Sequence, residues 1–307
     1  MSIPVLLDTD IGTDIDDAWA LALLLASPEL DLKLVTTVSG ETDYRGGLCA
    51  RLLAIAGRTD VPIGLGIGGP LRLPPAMQGR PQGDWADARA LETHPTVHAD
   101  GVQALIDAID AAPEPPVVLA IGPLTNIAEA LRRAPRIAGR ARFVGMHGAV
   151  RVGYLPGSPP RPEYNVLADA GAARTVFAAH WDKTITPVDT CGSVVLRGEA
   201  YARFAAHAQA RPDSLAAAVL ETYRLWLPAV GRNPERWRDR STVLFDTVAV
   251  YLAFSEAGLE METLNLAVRD DGLTAIDLAG DPVRIAAAWT DYAAFEALLV
   301  DRLCGGG

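Results

Sequence analysis

Five aspartates, Asp8, Asp10, Asp14, Asp16 and Asp17, fall within ten residues of the stretch "DTDIGTDIDDAWAL". Like charges about 5 Å apart repel by roughly 3 kcal/mol at an effective dielectric near 20. A helix N-terminus offsets about 0.3–1 kcal/mol per charge, enough for one or two carboxylates but not for five. A hard divalent cation offsets the rest, because Ca²⁺ takes about six to eight oxygen ligands and Mg²⁺ about six. The plainer alternative is that Asp14 or Asp16 caps a helix while the other carboxylates are solvated.

The elements around the cluster follow from the apolar runs. "IPVLLD" (3–8) and "LKLVTTVS" (32–39) read as strands, and the intervening "DDAWALALLLAS" is long enough for three helical turns. The alternation continues through helix 45–57, strand 61–65, helix 100–111, strand 116–121, helix 124–134, strand 141–146, helix 168–179 and strand 183–188. Repeated βα units with apolar strands predict an α/β fold, a Rossmann-like and mainly parallel (mixed) sheet flanked by helices. From about Arg197 to Ser255 the pattern is helical; two strand-like runs, "TLNLAV" and "LTAIDL", then precede a final helix near 289–303. No linker separates the halves, so residues 1–307 are expected to form one domain with a helical C-terminal extension and a disordered tail at 303–307. Two Pro- and Gly-rich stretches, 66–99 and 147–162, are long enough to be functional loops. In a parallel sheet, ligand groups come from the loops at the carboxyl ends of strands, here Asp8 to Asp17, Ser39 to Thr42, Gly122 to Asn126 and Met146 onward.

Composition removes several function classes. Half of the 307 residues are apolar and the formal net charge is −11, which argues against a nucleic-acid partner. No apolar stretch approaches the roughly 20 residues needed to span a bilayer. The opening "MSIPVLLDTD" lacks the basic segment of a signal peptide, so a cytoplasmic protein with no membrane partner is expected. Cys49, Cys191 and Cys304 show no CxxC spacing and are expected to be free thiols. The five histidines include no HExxH pair, which excludes the usual zinc hydrolase signature.

Three metal motifs compete for the acidic cluster. Counted from Asp8, an EF-hand loop requires Gly at its sixth position and an acid at its twelfth, where this chain has Thr13 and Trp19. "DTDIGT" resembles the DxDGT of haloacid-dehalogenase-type phosphatases, but Ile11 is inserted before the glycine. "LLDTDIGTDIDDAWAL" resembles the amino-terminal signature of the inosine-uridine preferring nucleoside hydrolases, with two residues more than the family's usual DTDPGIDDA. The resemblance continues in order through "VTTVSGE" (35–41), "HADG" (98–101), "AIGPLTNIAEAL" (120–131), "MHGAV" (146–150), "PEYNVLADAGAA" (162–173) and "LFDTVAV" (244–250).

That resemblance implies a nucleoside hydrolase fold and Ca²⁺-dependent hydrolysis of a ribonucleoside to ribose and free base. It implies one Ca²⁺ held by Asp10, Asp17 and Asp246 with the backbone carbonyl of Thr125. Asp10 is then also the general base toward the water held by the ion. Asp16 matches the carboxylate on a ribose hydroxyl, Glu163 and Asn165 the pair that grips the sugar, and Asp8 a supporting position. A homodimer or homotetramer is also implied.

Two positions depart from the family pattern. Glu41 stands where the family commonly has Asn, so it can accept from a sugar hydroxyl but cannot donate an amide hydrogen. Phe245 replaces the histidine associated with protonating the leaving base; a phenyl ring can stack on a base but gives no proton. His147, after a predicted strand end, is the candidate substitute, while His98 is expected to support a loop. Trp85 and Trp226 are candidate walls of the base pocket or plain core residues. The alternatives to a hydrolase are a catalytically weak ribose-binding homologue, and a Mg²⁺-dependent phosphatase with Asp8 as nucleophile.

Overall fold

A computed structural model describes residues 2–69, 79–86, 88–155 and 157–305 of the chain. The parts of the two predicted loops at 70–78, Asp87 and Pro156, and the last two glycines, lie outside the described residues. The first half follows the predicted alternation, with a short helix α3 and strand β4 added inside the stretch 66–99 that reads as a loop: β1 (Ile3–Thr9), α1 (Asp16–Leu25), β2 (Leu30–Thr37), α2 (Thr42–Ile55), β3 (Ile63–Leu65), α3 (Ala88–Glu92), β4 (Val97–His98), α4 (Gly101–Ala111), β5 (Val117–Ala120), α5 (Thr125–Arg133) and β6 (Arg142–Met146). Then come α6 (Tyr164–Ala168), α7 (Ala170–Ala178), β7 (Lys183–Thr186), α8 (Val188–Cys191), α9 (Gly198–Ala210), α10 (Leu215–Ala229) and α11 (Phe245–Leu252). The chain closes with β8 (Leu259–Val268), β9 (Thr274–Ile276), β10 (Asp281–Trp289) and α12 (Tyr292–Leu303).

Among the described residues the strands form one ten-stranded sheet, ordered β4-β3-β2-β1-β5-β6-β7-β10-β8-β9. β4 through β7 and the β7–β10 pair are parallel; β10–β8 and β8–β9 are antiparallel. The sheet is thus the expected mixed, mainly parallel one. Its connections reverse direction between β1 and β5, which opens a crevice at the carboxyl ends of the central strands. Asp8 and Asp10 leave β1 at that crevice, and Ile121 leaves β5 beside them, its N–H bonded to the Asp8 carbonyl.

Two apolar layers hold the sheet. One face packs α1, α2, α9, α10, α11 and α12, centred on Trp19, Leu48, Phe204, Tyr223 and Trp226; the other packs α4, α5 and α7 around Leu105, Ile127 and Phe177. Helix α1 is buried on all sides, and Trp19 lies 4.4 Å from the Phe204 ring centroid. Burying a side chain of this size stabilises by about 1.5–3 kcal/mol, which is what holds an acidic helix start in the interior.

Three element predictions are corrected. The helix predicted at 168–179 is α7, which starts only at Ala170 because the Asp169 carboxylate caps it, accepting from the Ala172 N–H at 2.9 Å, and a separate short helix α6 precedes it. The strand β10 was not anticipated, because Pro282 and the run Ala286–Ala288 hide its alternation. The final helix starts at Tyr292 rather than near 289, capped by Asp291, and it carries Leu303 into the core at 4 % exposure, so the tail does not begin there. Among the described residues no helix is long and apolar enough to cross a membrane.

Candidate active site

The acidic loop is held by its backbone. Arg45, 3 % exposed on α2, donates from Nη1 to the carbonyls of Asp10 and Ile11, from Nη2 to the Thr13 hydroxyl and from Nε to the Ser39 carbonyl. Trp226 donates its indole N–H to the Thr13 carbonyl at 3.0 Å, and the Thr9 hydroxyl accepts from the Ile11 N–H while donating to Asp17. Gly12 has φ +102° and packs on Tyr44 and Leu48, both of which a Cβ would meet at 2.8 Å. Below the loop, fully buried Asp8 accepts from the Thr36 hydroxyl and from Asn126 Nδ2 at 2.7 Å. Asn126 also donates to the Thr37 carbonyl and accepts from the Ile67 N–H, so one amide ties the ends of β1, β2 and β3 to the start of α5.

Above this brace lies a cavity of about 230 Å³, walled by the loop, by Ile121 and Met146 after β5 and β6, by Tyr154, Glu163, Tyr164 and Asn165, and by Phe245 and Asp246 at the start of α11. Carboxylate oxygens of Asp16, Asp17 and Asp246 lie within 4.8 Å of one another, all buried. Asp10 lines the same cavity and accepts from the Tyr164 hydroxyl at 3.3 Å. Glu163 caps α6, accepting N–H groups from Gly148, Asn165 and Val166 at 2.9, 2.7 and 3.2 Å. Asn165 spends its amide nitrogen on the carbonyls of Ile121 and Met146, leaving Oδ1 buried with no partner. Tyr154 meets Phe245 edge to face at 5.9 Å.

Burial dominates the electrostatics. It pushes Asp8 and Glu163 each up to about 7, despite their hydrogen bonds. It also raises Asp10, Asp16, Asp17 and Asp246, with further increases at Asp16, Asp17 and Asp246 from the neighbouring carboxylates; the Arg45 charge works against the rise at Asp10 and Asp17. Such a donor set, all oxygen, like-charged and dry, fits a hard divalent cation, which would take the place of the missing protons. A pH dependence follows. An acid whose folded value lies above its unfolded value near 4 contributes stability that is fully present below about pH 4 and lost as pH rises through about 7. Without divalent cation the thermal midpoint should therefore fall between about pH 5 and pH 8, and saturating calcium should restore most of the loss at the higher pH. Differential scanning calorimetry with chelator and with calcium checks this; a cation-free midpoint flat over that range would contradict it.

The structure brings together Asp10, Asp16, Asp17, Glu163, Asn165, Phe245 and Asp246 of the residues predicted from sequence. Three others are corrected because they do not line the cavity. Glu41 is exposed before α2, in an ion pair with Arg80. His147 is buried, its Nε2 3.1 Å from the Gly122 carbonyl and its ring 5.8 Å from that of Phe143; burial pushes it down to about 4, so it is neutral at neutral pH. Thr125 is the first residue of α5, where its carbonyl belongs to the helix ladder, and its hydroxyl donates to Asp169 in a separate surface depression. The residue of that segment that does line the cavity is Ile121. Neither predicted tryptophan wall is there: Trp226 braces the loop from behind, and Trp85 donates to Glu221. His98 is exposed on β4. Arg45, Tyr154 and Tyr164 were missed; the last lay inside a quoted motif, in "PEYNV".

A buried carboxylate cavity at the switch point of a mainly parallel sheet, with a wall residue whose amide oxygen has no partner, defines an α/β enzyme with a polar, sugar-sized site. The chain belongs to the inosine-uridine preferring nucleoside hydrolase family, whose description matches residues 5–296, and family members hydrolyse the N-glycosidic bond of nucleosides. It is 32 % identical over 214 residues to the pyrimidine-specific ribonucleoside hydrolase RihA of Escherichia coli strain SMS-3-5, covering 67 % of each chain. In fold it is similar to a plant nucleoside hydrolase, PpNRh1, with a TM-score of 0.80 and 23 % identity over 99 % of each chain. It is similar also to the inosine-uridine preferring nucleoside hydrolase of Bacillus anthracis, with a TM-score of 0.78 and 19 % identity over all of both chains.

Proposed function

We propose that this chain is a Ca²⁺-dependent ribonucleoside hydrolase in which Asp10, Asp17 and Asp246 hold the ion and Asp10 also acts as general base. The observation that carries this reading is the buried, unpartnered Oδ1 of Asn165, a residue that lines the same cavity as the Asp16, Asp17 and Asp246 cluster. A buried acceptor left without a donor costs about 1–3 kcal/mol, and a sugar hydroxyl is the donor that would relieve it. Ile121, whose carbonyl already faces Asn165 in the cavity wall, replaces Thr125 as the proposed main-chain oxygen donor.

The bound ion supplies charge to orient water and lower its pKa. Asp10 accepts the proton that water gives up as its oxygen bonds to C1′, while the Tyr164 hydroxyl on one carboxylate oxygen fixes which oxygen remains free. Asp16, Glu163 and Asn165 accept from ribose hydroxyls. As the glycosidic bond lengthens, positive charge grows on the sugar ring and the surrounding carboxylates favour it over the neutral ground state. The phosphatase reading loses its nucleophile, since Asp8 is fully buried and absent from the cavity wall. We also propose a single domain, a homodimer or homotetramer, and a cytoplasmic location.

The test is reducing-sugar release from a panel of purine and pyrimidine ribonucleosides with calcium and after chelation. Release should fall at least about 100-fold on chelation, as expected when both water activation and charge stabilisation are removed. Stabilisation by ribose or nucleosides with no release from any member would instead favour a binding homologue.

A further inference from the structure

The cavity wall carries six carboxyl groups, from Asp10, Asp14, Asp16, Asp17, Glu163 and Asp246, and three aromatic rings, from Tyr154, Tyr164 and Phe245. Among the described residues no imidazole, ammonium or guanidinium lines it. A divalent ion would offset only part of the negative charge that this carboxyl set carries. Asp14 is the carboxylate brought in by the longer loop, half-buried at the cavity, and the Arg232 charge favours its ionised form.

Resting on the hydrolase reading above, we propose that the preferred substrates are ribonucleosides whose base is a cationic aromatic ring bonded to ribose through its positively charged nitrogen, the N-ribosylpyridinium class. A neutral base leaves as an anion unless a proton reaches it, and Phe245 offers none at the position preceding Asp246. A pyridinium needs no proton. Water oxygen bonds to C1′, the C1′–N electron pair passes to the ring nitrogen, and the base departs neutral. The proton lost by water goes to Asp10 and then to solvent, so ribose, base and one proton are the products.

The same wall recognises the charge. The Phe245 ring and the Tyr154 ring stand at 82° to each other, a corner in which a flat cation can lie on one face and against one edge. Cations are drawn to aromatic faces and to carboxylates alike. The Tyr154 hydroxyl accepts the Tyr164 N–H at 2.9 Å, which fixes that corner to the start of α6, where Glu163 and Asn165 hold the sugar. Anionic or proton-requiring bases gain nothing from this wall.

The experiment compares kcat/KM of the full chain with calcium for four probes. They are 1-(β-D-ribofuranosyl)-3-carbamoylpyridinium, uridine, inosine and 4-nitrophenyl β-D-ribofuranoside, the last having a leaving group that needs no proton but carries no positive charge. The pyridinium should be cleaved at least about 100-fold more efficiently than uridine or inosine, a difference of about 2.7 kcal/mol at the barrier. Asp14→Asn should raise KM for the pyridinium at least about fivefold more than for the nitrophenyl riboside. Phe245→His, if folded, should narrow the gap by improving uridine and inosine. Uridine or inosine cleaved as well as the pyridinium would overturn the proposal and leave the hydrolase reading intact. Cleavage of the nitrophenyl riboside with none of the pyridinium would do the same. Failure of all four would remove the hydrolase reading itself.

Discussion

Asp10→Asn should lower kcat by about 10²–10⁴-fold while the protein stays folded. The amide keeps the shape and can still accept the Tyr164 hydroxyl bond made to Asp10 Oδ2, but it cannot take a proton from water. One negative charge also leaves a cavity where Asp16, Asp17 and Asp246 are crowded within 4.8 Å, so the cation-free variant should be more stable than the parent. The signature is therefore opposed: activity falls while the melting temperature without calcium rises. Single-turnover sugar release and thermal melts read the two effects. Asp8→Asn is the comparison, because Asp8 lies outside the cavity wall and should affect stability more than chemistry. Equal loss of kcat in both variants would undo the assignment of Asp10 as base.

Arg45→Met should cost about 3–5 kcal/mol of stability. The methionine fills much of the volume but leaves the carbonyls of Asp10, Ile11 and Ser39 and the Thr13 hydroxyl without their donor. Each orphaned acceptor costs about 1–3 kcal/mol, less whatever water recovers. The variant also removes the buried positive charge that opposes the rise of Asp10 and Asp17. Arg45→Lys keeps charge but not the planar fork, and it should recover less than half of the loss. Urea unfolding of the three proteins decides this; a lysine variant as stable as the parent would show that charge alone, rather than the bonded loop backbone, is what Arg45 provides.

Much of this was legible because it rests on local pattern. The apolar strands announce a buried parallel sheet, and the DxD and DD steps after the first strand announce a carboxylate site at its carboxyl edge. What was illegible depends on partners far along the chain. Arg45 in "YRGGL" is only the first residue of a predicted helix, and its acidic-loop partners are carbonyls more than thirty positions earlier, which no local pattern reveals. The resemblance of "GPLTN" implies a ligand carbonyl at Thr125, but a helix start commits that carbonyl elsewhere and leaves the apolar strand-end residue Ile121 at the cavity. His147 had the right place after β6 and the wrong direction, since its ring turns under Gly122. Glu41 stands outside the cavity in a surface ion pair with Arg80, a placement that sequence spacing does not encode.

Asp246 lies 229 positions after Asp17, and the two meet only because α11 docks on α1 on one face of the sheet. Closing so long a loop is slow and entropically costly, so the cation site cannot exist in a half-folded chain. The proposed ion would thus be a late lock rather than a template. Calcium should slow unfolding and leave the refolding rate almost unchanged, making this protein's resistance to proteolysis in its cation-bound form a matter of the rate at which it opens.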